Sequence, residues 1–78
     1  MILKKPSRKI IAILSKNILR LRTGLGLSQE ELAFKSGLHR TYIGAVERGE
    51  RNITLSSLEL ISAALDVELT TLLEEEDS

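Results

Sequence analysis

Arg40, Thr41, Gly44, Ala45 and Arg48 recur at helical spacing and give one face that is polar, small and basic. Such a face makes hydrogen bonds and charge contacts rather than breaking covalent bonds. No catalytic constellation competes with it. The chain has no cysteine, a single histidine (His39), and no close pair of carboxylates outside helix-surface and tail positions. Neither a nucleophile with its base nor a metal site can be assembled from that set. The expectation is a non-enzymatic protein with no cofactor, no metal and no small-molecule ligand.

Charge says what such a face would meet. The formal net charge is zero, but its distribution is not even. Residues 1–29 hold seven bases (Lys4, Lys5, Arg8, Lys9, Lys16, Arg20 and Arg22) and no acid. Residues 30–51 hold four of each sign, and residues 52–78 hold seven acids and no base. A merely soluble helical bundle usually mixes its signs; a chain with a basic pole toward DNA phosphate and an acidic pole turned away gives this pattern.

The elements that must position the basic face are legible from their ends. Ser28 and Glu31 have the spacing of a capping box, in which the serine oxygen accepts a first-turn N–H and the glutamate reaches back. A helix starting there runs through Leu32, Ala33 and Ser36 to Gly37, which suits a helix end. The next helix begins at His39, a weaker N-cap than Ser, Asp or Asn, and turns Leu38, Tyr42, Ile43 and Val46 toward a core. Two short helices with a small residue, Ala33, near their crossing and a glycine at the corner make a helix-turn-helix. Before them, residues 8–23 form one long helix capped by Ser7, with Ile11, Leu14, Ile18 and Leu21 as a stripe that Ile10, Ile13 and Leu19 widen into a broad core face. Gly24 and Gly26 end it. After the turn at residues 49–52, Thr54 caps a fourth helix carrying Leu55, Leu58, Ile61, Ala64 and Leu65, which stops at Asp66 and Val67. Leu69, Leu72 and Leu73 predict a fifth, very short helix. No β-strand pattern is present, so the fold class is all-α with five helices.

Seventy-eight residues make one domain, residues 1–78, with residues 1–7 and 74–78 as frayed tails. A chain this short buries only about 60% of its unfolded surface, and dimerisation is the cheapest support available without disulfides or metal. The leucines of the short fifth helix, with Val67 beside them, are the expected homodimer interface: Val67, Leu69, Leu72 and Leu73. No apolar run approaches a membrane span of about 20 residues, and no signal peptide is evident, which points to a cytoplasmic protein without a membrane partner.

With these elements in place, SQEELAFKSGLHRTYIGAVERG resembles the helix-turn-helix of the lambda-repressor-like, Cro/repressor type of DNA-binding domain, over roughly residues 16–73. The longer stretch KSGLHRTYIGAVERGERNITLSSLELISAAL is similar to the controller proteins of restriction-modification systems. The resemblance implies a homodimeric transcription regulator on a pseudo-palindromic double-stranded DNA operator. It implies that Arg40 and Thr41 read bases, with Gly44 and Ala45 one turn further along the same face. It implies DNA-backbone contacts from Ser28, Gln29, Tyr42, Arg48, Arg51 and Asn52. The family pairs the residues matching Arg22 and Glu47, so these two are expected as a structural ion pair rather than as DNA ligands. Single-domain phage repressors, and the antitoxins of toxin-antitoxin pairs, carry similar segments. An antitoxin or anti-repressor that grips a basic protein partner through its acidic C-terminal half is the alternative.

Overall fold

The computed structural model describes residues 7–50 and 52–75, with α1 at Arg8–Gly24, α2 at Gln29–Ser36, α3 at Arg40–Glu47, α4 at Leu55–Ala64 and a terminal 3-10 helix at Leu69–Leu73. Each α-helix starts where a side chain can accept an orphan N–H. Ser7 Oγ takes Ile10 N at 3.2 Å, and Thr54 Oγ1 takes Ser57 N at 3.1 Å. At α2 the capping box is complete: Ser28 Oγ accepts from Glu31 N at 3.0 Å, and Glu31 Oε1 accepts from Ser28 N at 2.9 Å. The Ser28 backbone N–H first, and the Ser28 hydroxyl after it, hold the Glu31 carboxyl pKa below its ordinary value. At α3 the acceptor is His39 Nδ1, which takes Thr41 N at 3.1 Å and also contacts the Thr41 hydroxyl. Histidine therefore fills the cap that a Ser, Asp or Asn would ordinarily supply.

The α2–α3 corner depends on Gly37, which adopts φ +74° in the left-handed region that L side chains avoid. That conformation lets Leu38 N bond back to Ala33 O at 3.1 Å. A non-glycine residue plays the same part after α4: Asp66 sits at φ 57°, and Val67 N returns to Ser62 O at 3.0 Å.

One apolar core joins the elements, built from Leu14 and Ile18 of α1, Leu32 and Ala33 of α2, Ile43 and Val46 of α3, Leu58 and Ile61 of α4, then Leu65 and Leu72. α2 packs on α3 and α4, while α1 packs on α3 and the 3-10 helix. Two buried polar side chains on α1 stitch this arrangement. Ser15 Oγ donates to Val46 O at 2.8 Å. Asn17 spends both amide hydrogens on the C-terminal segment, donating to Leu72 O at 2.9 Å and Glu74 O at 2.8 Å.

Five expectations change. The fifth helix is a single 3-10 stretch, because no side chain caps it at Glu68 and five residues close i to i+3 bonds such as Thr71 N to Glu68 O more readily than an α-helix. The core stripe of α1 is narrower than its sequence suggests, since Ile10 and Leu19 stay exposed, and Leu55 is exposed at the start of α4. α1 runs through Gly24, leaving Gly26 at φ +72° to make the turn. Leu72, expected at a subunit interface, has 0% of its surface exposed and belongs to the core of its own chain. The 3-10 helix must bury one leucine for itself before it can offer any to a partner.

Candidate nucleic-acid interface

The site is built on an ion pair beneath it. Arg22, in the last turn of α1, grips Glu47 at the end of α3 with two parallel bonds, Nε to Oε2 at 2.6 Å and Nη2 to Oε1 at 3.0 Å. Its remaining nitrogen, Nη1, donates to Leu27 O at 2.7 Å in the connection to α2. The two side chains are only 11% and 4% exposed. Hydrogen bonding to Glu47 raises the Arg22 pKa above its ordinary value, against the opposing effect of burial. A bidentate guanidinium–carboxylate contact fixes angle as well as distance, so three elements are locked at one point.

Glu47 also carries the order outward. Its Oε1 accepts from Gln29 Nε2 at 2.9 Å, which ties the first residue of α2 to the end of α3. The Gln29 amide retains a second N–H and its carbonyl oxygen for other partners. It thus sits half-buried at the edge of the basic face, not extended into solvent.

That face forms a surface depression lined by Gln29, Arg40, Thr41, Gly44 and Arg48. The N-terminus of α2 and the first turns of α3 meet there. Gly44 is buried on its floor: an added Cβ would lie 3.1 Å from Arg48 Nη1 and 3.5 Å from Gln29 Oε1. The absence of a side chain therefore makes room for Arg48, a reason that spacing alone does not reveal. Ala45 is half-buried beside it. Arg48 is exposed and donates through Nε to Glu50 Oε2 at 3.0 Å, a bond that raises its pKa above the ordinary value. Arg40 projects from the start of α3, its Nη1 donating to Glu30 Oε1 at 2.7 Å, with both side chains about two-thirds exposed at 64% and 68%.

The other expected residues fall around this depression. Tyr42 is half-buried, its ring packed against the core. Ser28 is exposed with its hydroxyl committed to the cap, and Asn52 is exposed in the turn after α3. Arg51 lies outside the described residues. Sequence reasoning missed Glu30, whose contact with Arg40 spans ten positions across the α2–α3 turn. Among the described residues no cluster of His, Cys, Asp or Glu is arranged to hold a metal ion, and no helix is long and apolar enough to cross a membrane.

A helix pair with a glycine corner, carrying a basic depression at the start of its second helix, defines a helix-turn-helix protein. Residues 18–72 match the helix-turn-helix family, and the chain belongs to it. Within that family it is similar to the controller proteins of restriction-modification systems. It is 54% identical over 61 residues to Control protein C.SmaI of Serratia marcescens, a match covering 78% of this chain and 73% of that one. The crystal structure of the controller protein C.AhdI from Aeromonas hydrophila superimposes with a TM-score of 0.78 at 47% identity, covering 80% of this chain and 94% of that chain. The controller protein C.Esp1396I, solved as a tetramer on its natural 35 base-pair operator, matches at TM-score 0.76 and 43% identity over 81% of this chain and 83% of that one.

Proposed function

We propose that this protein is a controller-type transcription regulator that binds a pseudo-palindromic operator as a homodimer in the cytoplasm. Each subunit places α3 in a major groove, the two helices about 34 Å apart. The observation that carries this reading is the shared fold with a relative solved on its operator, at 43% identity. Arg40 and Thr41 head α3 and read bases; an arginine there can give two N–H groups to guanine O6 and N7. Ala45 lies one turn on, in reach of a thymine methyl. Gly44 sets the depth of the depression under Arg48. Gln29 and the N–H groups of the first turn of α2 take a phosphate, helped by the partial positive charge of the helix end. Tyr42, Arg48, Arg51 and Asn52 take further phosphates, while Ser28, expected among them, spends its donors on Glu31 and acts by capping α2. Val67, Leu69 and Leu73 remain for the dimer face, and the exposed Leu60 of α4 joins them.

Selection of bound sequences from randomised duplex DNA tests the proposal. A two-fold symmetric consensus with half-sites one helical turn apart, bound by dimers, is the expected result. Recovery of no preferred sequence would overturn it. The dimer face has its own test, because Leu73 is 38% exposed and Leu72 is 0% exposed. Leu73→Asp should give folded monomers in sedimentation, whereas Leu72→Asp should unfold the chain. A folded dimer from Leu73→Asp would move the interface elsewhere.

A further inference from the structure

Glu30 is the one carboxylate that reaches from α2 to the reading end of α3. It follows Gln29 directly, and the arginine it contacts lines, with Arg48, a depression whose charged side chains are basic. An acid at that place repels the phosphates the surface is built to meet, and an exposed ion pair returns little to the fold. Its contact with Arg40 is nonetheless short, 2.7 Å from Nη1 to Oε1. The carboxylate takes one terminal nitrogen only. The edge formed by Nε and Nη2 stays available as the pair of donors that a guanine requires.

We infer that Glu30 is a specificity-determining positioning residue: it holds Arg40 by one nitrogen so that the free edge of the guanidinium is presented to a base instead of wandering to a phosphate. The inference rests on the base-reading role given to Arg40 above. Two effects combine. The bond restricts the rotamers of a long side chain before DNA arrives, and the neighbouring negative charge offsets the attraction of Arg40 for any backbone phosphate. Both favour the correct sequence over DNA at large.

The test compares Glu30→Gln with the natural chain, titrating the duplex selected above and a scrambled duplex of equal length at one salt concentration. The ratio of the two affinities should fall roughly three- to fivefold, the scale of an exposed ion pair expressed as binding. In an Arg40→Ala background the same change should leave the ratio unaltered, because the group being positioned is gone. A purely structural role, through the charge of Glu30 in the first turn of α2, would lower the melting temperature and weaken both duplexes alike, and would overturn the proposal. So would an unchanged ratio in Glu30→Gln beside a lowered ratio in Arg40→Ala, or a loss that persists in the Arg40→Ala background. If Arg40→Ala itself leaves the ratio intact, the base-reading assignment fails first and this inference falls with it.

Discussion

The chain uses the same chemistry twice, with opposite results. Arg22–Glu47 and Arg40–Glu30 are both guanidinium–carboxylate contacts between helices, closing to 2.6 Å and 2.7 Å. The first is almost fully withdrawn from water and the second is about two-thirds exposed on each side. In the interior the pair cannot be exchanged for hydration, so each partner obliges the other to stay. At the surface water competes for every hydrogen bond, so the pair adds little to the fold and leaves the outer edge of the arginine open to a ligand. Burial, not bond length, makes one arginine part of the frame and leaves the other available for recognition.

The largest break in that comparison comes from Glu47→Ala. Removing the carboxylate leaves the Arg22 guanidinium buried with only Leu27 O as a partner, and it frees Gln29 as well. Breaking a buried pair on one side costs about 3 to 5 kcal/mol, a large part of the stability of a domain this small. Chemical denaturation should show that loss, with DNA binding failing in parallel because α3 is no longer anchored. A loss below about 1 kcal/mol would place this pair with the exposed one and dissolve the distinction.

Arg40→Ala is the converse experiment. Stability should change by no more than about 0.5 kcal/mol, as for other exposed substitutions. Discrimination between the selected operator and scrambled DNA should drop by about 1 to 3 kcal/mol, measured by competition binding. Equal weakening on both duplexes would assign Arg40 to the phosphate backbone.

How much of this division was legible before the structure depends on the range of each contact. The Ser28–Glu31 box and the Gly37 corner are local, fixed by three or four residues, and the sequence reading places both correctly. The pairing of Arg22 with Glu47 was implied by the family resemblance; periodicity alone could not have linked positions 25 apart. Leu72 shows the limit of pattern reading. Three leucines in a short segment mark an amphipathic turn, yet nothing in their spacing says whether the apolar side meets its own core or another subunit. Asn17, which pins the backbone at Leu72 and Glu74, ties the segment to its own chain, and one polar residue among the several of α1 gives no hint of a partner more than fifty positions away. Glu30 escaped notice for a similar reason, since it read as an ordinary acidic residue of a first turn.

A third carboxylate sharpens the comparison by being exposed yet committed. Glu31 lies fully in solvent, but its partners are the backbone N–H and hydroxyl of Ser28, which bind the ionised form and lower its pKa. The unfolded chain holds this carboxyl at about 4.3, so above that pH both states are ionised and the capping box contributes its whole share. As the pH falls below that value the unfolded state takes up the proton first, and the contribution drains away until the folded-state pKa is passed. Stability against pH, followed by circular dichroism through the acid range, should therefore decline less steeply in Glu31→Gln, which keeps a hydrogen-bonding side chain but cannot titrate. Identical acid slopes in the two proteins would mean that the Ser28 donors do not favour the ionised Glu31 carboxyl in the folded chain. Solvent exposure alone would then separate frame from surface, and a carboxylate's choice of backbone or side-chain partner would not matter.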